Sequence, residues 1–508
     1  MSNSLNGGSL FIKTKDNVMN RKHIFFIFLF LLTFSSQAQQ IQTSFSPSAF
    51  EGTFSGKVIL YLSKDGKNPK DAGVGLPNLY CFSIDVNQIK PNTTVLFNDN
   101  ADSFPVTLSN VERGEYFLQI VWDRNLGGRN RNIGNSVGNM YSEPVKVNFT
   151  KNTKKKNSIL CDKTIPAPVF IETDFVKELK VSSALLSSFH KKSVSVDAAI
   201  LLPKEYFSQP HRKFPTHYLI SGFGGNYYEY SNKEEKSMPL DTTACITVFL
   251  DGNCSNGHNA YANSDNNGPW GDALVNEFIP TLEKNYRCNQ ARLLSGHSSG
   301  GWSSLWLQTN YPFTFTGCWS SAPDPVDFRS FGKTNLYTDT NLFYESDGNL
   351  KLDAAVAGGI PWLYVRDDYR IESVLYRGEQ FNSWNAVFGK KSIDKSPEKI
   401  ADFKTGAINN QAVTDWKAYD ISFLLRSNWQ KLQPKLDSKI KISVGNQDNY
   451  FLNNAVELLE KEMKNLGAKV EFAYYPGDHF TIETEEYRKA GLSFLEKKYL
   501  EWLENTAK

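Results

Sequence analysis

The sequence predicts two folded parts, a small all-β sandwich followed by an α/β domain with a mainly parallel sheet. The chain has 508 residues, more than one hydrophobic core usually organises. In the first third, short alternating apolar runs are separated by turn residues and show no helical periodicity. From about residue 165 onward, apolar runs alternate with longer amphipathic stretches, which is typical of strand–helix–strand units.

The composition excludes several classes of protein. With 40% hydrophobic and 22% charged residues, the chain resembles an ordinary globular protein rather than a disordered or membrane-spanning one. The 56 Lys and Arg residues nearly balance the 54 Asp and Glu residues, for a net charge of +2. This balance gives no sign of a polyanionic partner, so we expect no nucleic-acid binding. The sequence does not indicate an oligomeric state.

The N-terminus carries a targeting signal. Arg21 and Lys22 precede the apolar run Ile24–Phe34, and small residues lead from there to Ala38. The run is too short to remain as a membrane-spanning helix. We predict a signal peptide over residues 1–38, cleaved near Ala38, and a secreted or periplasmic protein with no stable membrane anchor. An uncleaved N-terminal anchor is the alternative.

Residues 39–150 are predicted to form the sandwich, with an immunoglobulin-like arrangement of short strands. Val58–Leu62 and Tyr116–Trp122 are two of its strand-like runs. The polar, lysine-rich stretch that follows is typical of a solvated connection, so residues 151–164 are predicted as a linker.

Residues 165–508 are predicted to form the α/β domain. A segment at about 327–434, rich in Trp, Tyr and Gly, interrupts the alternation of strands and helices. We interpret this segment, called the insertion below, as a cap over the carboxyl edge of the sheet. The predicted strands are Val194–Leu202, His217–Ser221, Cys245–Leu250, Ala291–Ser295, Thr316–Ser320, Lys439–Val444 and Lys469–Tyr475. The predicted helices are Leu274–Tyr286, Phe451–Leu466 and Glu483–Trp502.

Six cysteines allow disulfides in an oxidising compartment, but their spacing does not choose among 15 pairings and matches no metal site. The oxygen-rich loop from Asp251 to Gly268 lacks the spacing of an EF-hand, so calcium is a disfavoured alternative. We predict neither a metal nor a cofactor.

A nucleophile motif marks the middle of the α/β domain. Gly296-His-Ser298-Ser-Gly300 follows an apolar strand and opens a helix-like run. In a G-x-S-x-G element of this kind the turn is strained, and the glycines let the serine hydroxyl stand above the sheet. This context predicts Ser298 as the nucleophile.

A serine nucleophile needs a base, and the base needs an acid to orient it. His479 is the only histidine after Ser298, and it lies in a loop directly after a strand-like run. Asp448 follows the strand before that one, in the chain order serine, acid, histidine. We predict Asp448 as the acid, with Asp420, inside the insertion, as the second choice.

The remaining candidates surround these three residues. Ser299 and Phe223 are predicted to donate their backbone N–H groups to the oxyanion, since Phe223 lies in a Gly-rich loop after an early strand. The loop from Asp251 to Asp272 also follows a strand end and should line the site. The predicted substrate-binding residues are Gly222, Gly224, His258, Trp270 and Trp384.

In these motifs, the region from about residue 176 to 502 resembles the putative-esterase family, which includes esterase D and the enterochelin, feruloyl and acetyl-xylan esterases, together with mycolyltransferases. The joint order of Leu219–Phe223, Gly268–Asp272, Gly296–Gly301, Gly445–Asp448 and Gly477–His479 carries the resemblance. It implies an α/β-hydrolase fold, the triad Ser298, Asp448 and His479, and the two oxyanion donors. The long insertion departs from the smaller members of the family.

The predicted function is therefore a secreted serine esterase acting through an acyl-enzyme. The resemblance points to esters on a polysaccharide, feruloyl or acetyl, or on a siderophore. An acyltransferase with the same triad is one alternative. A secreted glycan-binding protein that has lost activity is another.

Overall fold

The structure is a computed structural model that describes residues 40–65, 68–72, 79–129, 132–150, 157–356 and 359–506. The predicted signal peptide lies outside these residues. Within the described ranges, no helix is both long enough and apolar enough to cross a membrane.

The N-terminal part is all-β, as the sequence predicts. Its strands pair in a three-stranded sheet of order β4-β1-β9 and a seven-stranded sheet of order β10-β7-β6-β2-β3-β5, with β8 joined to β6. The strands are β1 (Ile41–Phe45), β2 (Phe54–Ser63), β3 (Tyr80–Ile89), β4 (Val95–Phe97), β5 (Asp102–Phe104), β6 (Gly114–Asp123), β7 (Met140–Tyr141), β8 (Val145–Phe149), β9 (Asn157–Cys161) and β10 (Lys163–Thr164). Short 3₁₀ turns at Pro69–Asp71 and Ile133–Asn135 lie between strands.

Residues 157–164, predicted as part of the linker, instead complete this β region. β9 pairs in parallel with β1, and β10 pairs with β7. Ile159 and Cys161 are buried while Ser158 and Leu160 are exposed, so alternating burial holds β9 in the sheet. The lysine-rich residues 151–156 lie outside the described ranges.

Strand β2 is buried on both faces. Val58, Leu60 and Leu62 point into the core between the two sheets. Ile59 and Tyr61, on the opposite face, join a second apolar cluster that includes Val374 of the insertion. Because side chains alternate along a strand, β2 belongs to the sandwich core with one face and binds the α/β region with the other.

The α/β region is built on an eight-stranded sheet of order β11-β12-β14-β13-β19-β20-β23-β24. Its strands are β11 (Val176–Ser182), β12 (Ser195–Leu201), β13 (Phe214–Ile220), β14 (Ile246–Leu250), β19 (Cys288–His297), β20 (Gly317–Ser321), β23 (Ile440–Gly445) and β24 (Glu471–Tyr475). Two-residue strands β15–β18 lie at Asn253–Cys254, Gly257–His258, Asn263–Ser264 and Gly268–Pro269, and β21 (Leu352–Val356) pairs with β22 (Ile360–Tyr364).

Strand direction places the site. β11, β12 and β14 pair antiparallel in succession, whereas the pairs from β14 through β13, β19, β20 and β23 to β24 are parallel. The carboxyl ends of the parallel strands therefore meet at one edge, where loops from separate strands converge. The order of the eight strands along the sheet, counted from the first, is 1-2-4-3-5-6-7-8.

The helices that flank this sheet are α1 (Ala184–His190), α2 (Glu205–Ser208), α3 (Trp270–Ala273), α4 (Ile279–Asn285), α5 (Ser299–Asn310), α10 (Leu452–Asn465) and α11 (Glu485–Thr506). The segment between β20 and β23 adds α6 (Val365–Leu375), α7 (Gln380–Phe388), α8 (Asn410–Trp416) and α9 (Ile421–Leu436). A π-helical turn, Leu274–Phe278, joins α3 to α4. All six cysteines are free and buried.

An ion pair joins the insertion to the β region. The Arg377 guanidinium donates to both carboxylate oxygens of Asp123, at 2.6 and 2.7 Å, and the Tyr376 hydroxyl donates to the same carboxylate. Burial by itself would raise the pKa of Asp123, but the charge and hydrogen bonds of Arg377 hold it below its ordinary value. The described residues of the two regions form one compact unit.

Candidate active site

Ser298 lies at a sharp turn between β19 and α5. Its φ of 60° and ψ of −125° are unusual for a residue that has a Cβ, and its N–H donates to the Ser321 carbonyl at 3.0 Å. Holding a non-glycine residue in such a region costs on the order of 1–3 kcal/mol. Strain of this size persists where the surrounding structure enforces it, which is common at functional sites.

The glycines of the motif are required by close contacts. A Cβ at Gly296 would lie 2.3 Å from the Gly300 carbonyl oxygen, and a Cβ at Gly300 would lie 2.1 Å from the Ile220 carbonyl oxygen. Neither position can hold a side chain unless the backbone moves. The turn that the sequence predicts therefore requires glycine at both positions.

His479 and Asp448 come from loops after β24 and β23. The His479 Nδ1 and Asp448 Oδ2 atoms are 2.8 Å apart, and the two residues are 3% and 4% exposed. Asp448 Oδ1 accepts the Tyr450 N–H at 2.9 Å, and the His479 N–H donates to Asn449 Oδ1 at 3.0 Å. These bonds fix the imidazole with Nδ1 on the carboxylate, which leaves Nε2 for a partner on the other side.

Ser298 and His479 line the same cavity, of about 980 Å³. The Ser298 hydroxyl donates to Asp324 Oδ1 at 3.4 Å in this structure rather than to the His479 ring. Catalytic hydrogen bonds are often long or misaligned before substrate binds, and a change of the serine rotamer redirects the hydroxyl. The arrangement brings a strained serine, a histidine and a histidine-bound carboxylate to one cavity.

His297, the residue before Ser298, packs against His479 with its ring tilted. The two ring centroids are 4.5 Å apart, and the His297 Nδ1 pairs with the Ser321 hydroxyl at 2.8 Å. Burial, together with the neighbouring His479, lowers the pKa of His297 to about 4. His297 is therefore uncharged at neutral pH and adds no positive charge beside His479.

A protein-family model described as Putative esterase matches residues 193–489, more than half of the chain. The chain belongs to the putative-esterase family. No curated protein sequence matches it.

Several solved structures of hydrolases show a distant likeness to this family member. A ferulic acid esterase has 14% identity and a TM-score of 0.38, covering 64% of this chain and 100% of its own. The Staphylococcus aureus serine hydrolase FphF has 12% identity and a TM-score of 0.37, covering 63% and 97%. An S-formylglutathione hydrolase from Agrobacterium tumefaciens has 15% identity and a TM-score of 0.35, covering 65% and 96%. Likeness at this level says nothing about the substrate of this chain.

The predicted oxyanion residues lie at the nucleophile. Gly222, Phe223 and Gly224 line the cavity, and a Cβ at Gly222 would be 3.3 Å from the Ser298 Cβ. Gly224 has a φ of +85°, which favours glycine. Ser299 is the first residue of α5, where backbone N–H groups lack partners inside the helix.

Two of the predicted substrate-binding residues do not line this cavity. His258 is buried, and its Nε2 is 3.2 Å from the Ser221 carbonyl oxygen, so it supports the loop behind the nucleophile. Burial lowers its pKa to about 4. Trp270 is 7% exposed and lines a separate cavity of about 530 Å³. Trp384 does line the site.

Asp420, the second choice for the acid, caps a helix. Its carboxylate accepts the N–H of Phe423 at the start of α9, the N–H of Phe328, and the Tyr337 hydroxyl. It is 2% exposed and does not line the cavity. These contacts give it a structural role.

Asp324 is a residue of the site that was not predicted from the sequence. It follows β20 by three residues, and its Oδ2 accepts hydrogen bonds from the Ser299 hydroxyl at 2.7 Å, Gln380 Nε2 at 3.1 Å and Trp384 Nε1 at 3.1 Å. Burial raises its pKa, against the hydrogen bonds from Ser299 and Trp384. Its position directly after a predicted strand was the available signal, because loops at that edge form the site.

Part of the cavity lining comes from the β region, which the sequence gives no reason to place there. Lys70, Arg129, Asn132 and Asn135 all line the cavity. They lie near the turns Pro69–Asp71 and Ile133–Asn135, more than 160 residues before Ser298. No local pattern marks them.

The floor of the cavity near α6 is acidic. Asp353, Asp368, Glu372 and Glu379 line it. Burial raises the pKa of Asp353 to about 6, and burial followed by the charge of Asp353 raises that of Asp368. In the part of the chain that the structure describes, no group of three or more acidic, histidine or cysteine side chains is arranged to hold a metal ion.

Proposed function

We propose that this member of the putative-esterase family is a serine esterase that works through an acyl-enzyme. The observation that carries the proposal is the 2.8 Å bond between Asp448 and His479 beside the strained Ser298 in one cavity. A carboxylate on Nδ1 selects the tautomer that can take a proton at Nε2. A serine hydroxyl in reach of that nitrogen can then become a nucleophile.

In the acylation step, Ser298 Oγ attacks the ester carbonyl while His479 Nε2 takes the hydroxyl proton. The carbonyl oxygen becomes an oxyanion, which the N–H groups of Phe223 and Ser299 would bind. The C–O bond to the alcohol then breaks, and the imidazolium returns its proton to the departing alkoxide. Asp448 stabilises the imidazolium throughout, and uncharged His297 does not oppose it.

Deacylation repeats the sequence with water. His479 removes a proton from water as the water oxygen attacks the Ser298 ester, and the proton returns to Ser298 Oγ when the new intermediate collapses. The carboxylic acid leaves. If a sugar hydroxyl took the place of water, the same residues would perform acyl transfer.

The substrate and the location form a further part of the proposal. We propose a secreted or periplasmic enzyme whose substrates are esters on a polysaccharide, feruloyl or acetyl, or on a siderophore. The large cavity supports a substrate bigger than a simple alkyl ester, since about 980 Å³ lies at the upper end of typical ligand pockets.

The test is Ser298→Ala assayed with 4-nitrophenyl acetate. Loss of the nucleophile should lower kcat by roughly four orders of magnitude or more, because only the oxyanion donors and binding remain. Circular dichroism and melting temperature should match wild type, since the hydroxyl has one long hydrogen bond and no packing role. A variant that kept more than about a tenth of the activity would remove Ser298 from the mechanism.

A further inference from the structure

We propose that Arg129 of the β region and Glu379 of the insertion together bind a hydroxyl group of the ester substrate. The inference rests on the esterase function proposed above and adds a specificity-determining pair to it. Both side chains line the cavity that contains Ser298 and His479. They come from segments 250 residues apart, which meet only because the β region docks on the insertion.

Arg129 is held in place beside the oxyanion loop. Its guanidinium carbon lies 4.3 Å from the centre of the Phe223 ring, and the backbone N–H of Arg129 donates to Asn253 Oδ1 at 3.2 Å. The residue is 3% exposed, so the surrounding protein fixes its conformation. An arginine stacked on an aromatic face presents its edge, where the N–H groups lie, in a fixed direction.

The hydrogen-bonding capacity of this guanidinium is largely unused. Arg129 Nη2 reaches Glu379 Oε2 only at 3.5 Å, whereas a charge-assisted bond is about 2.7–2.9 Å long. Nε has no partner, and Nη1 has no hydrogen bond to any residue that the structure describes. Buried polar groups are nearly always satisfied, so a guanidinium that lines a cavity with a single long side-chain hydrogen bond has donor capacity left for a ligand.

The pair selects a hydroxyl rather than a carboxylate. Arg129 can only donate hydrogen bonds, and the carboxyl oxygens of Glu379 accept them, whereas a hydroxyl does both. Glu379 already pairs with Arg129 and so reduces the attraction of Arg129 for an anionic ligand, whereas a neutral hydroxyl needs no counter-charge.

The hydroxyl could belong to the acyl group or to the alcohol of the ester, and paired substrates distinguish the two. Methyl 3,4-dihydroxycinnamate against methyl cinnamate tests the acyl side. Glucose 6-acetate against cyclohexylmethyl acetate tests the alcohol side. The quantity measured is the ratio of kcat/KM for the hydroxylated ester to kcat/KM for its partner, from acid release at constant pH.

The variants are Arg129→Gln and Arg129→Lys, with Arg124→Gln as the matched control. Arg124 is also in the β region, with its guanidinium carbon 4.0 Å from the Phe50 ring centre, but it does not line the cavity. In at least one substrate pair, wild type should prefer the hydroxylated ester. Arg129→Gln should reduce that ratio roughly 10- to 100-fold, the range for losing a hydrogen bond to a charged group. Arg124→Gln should keep the wild-type ratio.

Two outcomes would overturn the inference: no preference in wild type for either hydroxylated ester, or an unchanged ratio in Arg129→Gln, which includes an equal fall for both members of a pair. If Arg129→Gln does not fold, Arg129→Lys decides, because lysine keeps the charge but not the two parallel donors. A wild-type ratio in that variant would also overturn it. Each of these results leaves ester hydrolysis intact, whereas failure of wild type to hydrolyse any of the four esters would refute the esterase proposal itself.

Discussion

The two walls of the cavity are built in different ways. The first wall carries the proposed triad: Ser298, Asp448 and His479 each follow the end of a strand, so the sheet brings them together, and Ser298 and His479 line the cavity. In the second wall, Arg129 comes from a turn of the β region and Trp384 from α7 of the insertion. The first wall is set by local motifs on one rigid sheet. The second exists only while two distant segments stay docked.

The docking surface explains how the second wall can still be rigid. An apolar cluster joins Ile59 and Tyr61 of β2 to Val374 and Leu375 of α6. Beside it the Asp123–Arg377 pair is almost fully buried, with side chains 0% and 2% exposed. A buried pair of this kind fixes how two surfaces fit, whatever its net contribution to stability. In the proposed enzyme, the residues of the reaction and those of substrate specificity are thus held by separate sets of contacts.

The largest expected effect separates the two aspartates considered as the acid. Asp448→Asn should fold and lose roughly 10⁴-fold in kcat, because an amide cannot hold the required tautomer or stabilise the imidazolium. Asp420→Asn should change kcat by less than about tenfold and instead lower the free energy of unfolding by about 1–3 kcal/mol, because an amide nitrogen in place of Oδ2 cannot accept from the Phe328 N–H and the Tyr337 hydroxyl. Ester hydrolysis and urea unfolding of both variants measure this. If Asp420→Asn lost the activity and Asp448→Asn kept it, the catalytic acid would lie in the insertion, and the two walls would not have separate roles.

The second effect concerns the docking of the walls. Arg377→Met or Asp123→Asn alone should lower the free energy of unfolding by about 3–5 kcal/mol, because each leaves its buried partner without a counter-charge. The double variant should lose less than the sum of the two, as contacting residues do. Denaturant unfolding of the four proteins gives the coupling energy. Additive losses would mean that the pair does not join the two regions.

A third prediction compares two tryptophans of the insertion. Trp384→Ala removes a cavity-lining ring that donates to Asp324, so it should lower kcat/KM for a large aromatic ester about tenfold more than for 4-nitrophenyl acetate. Trp362 is 45% exposed, and Trp362→Ala should leave the ratio of the two activities within about twofold of wild type. If both variants only melt earlier and keep the wild-type ratio, the insertion aromatics act as packing.

The smallest effect is a pH dependence of stability on the acidic floor. Burial raises the pKa of Asp353 to about 6, against about 3.9 for an unfolded aspartate. The folded state therefore binds more protons between these values, and this contribution to stability is present below about pH 4 and lost as the pH rises to about 6. Asp353→Asn should flatten that part of the profile and raise the melting temperature at pH 7 relative to wild type. Melting curves from pH 4 to 8 test it, and parallel profiles for both proteins would contradict it.

Secondary structure near the site could be predicted closely, because the apolar periodicity is strong there. The run predicted at Lys439–Val444 is β23, and the helix predicted at Phe451–Leu466 is α10. The antiparallel strand β11 was missed, since its alternation of charged and apolar residues is weak. β9 was placed in the linker because the lysines before it dominate that stretch of sequence.

The same contrast holds for the site residues. The positions of Ser298, Asp448 and His479 could be deduced because glycine spacing, strand ends and chain order are local features. His258 and Trp270 were predicted to bind substrate from the composition of their loop. In the structure, the His258 ring contacts the Ser221 carbonyl behind the nucleophile, and Trp270 lines a second cavity. Loop composition predicts the location of a loop, not the direction of each side chain.

By itself, the sequence determined the nucleophile turn, the histidine and acid loops, and the strand rhythm that carries them, because each depends on neighbours within a few residues. Only the tertiary structure decided that Asp324 accepts a hydrogen bond from Ser298, that Arg129 lines the cavity, and that Asp420 caps a helix. These depend on which distant surfaces pack together. Packing is decided by shape and buried charge across hundreds of residues, as in the Asp123–Arg377 pair, and such matches leave no periodic trace in the chain.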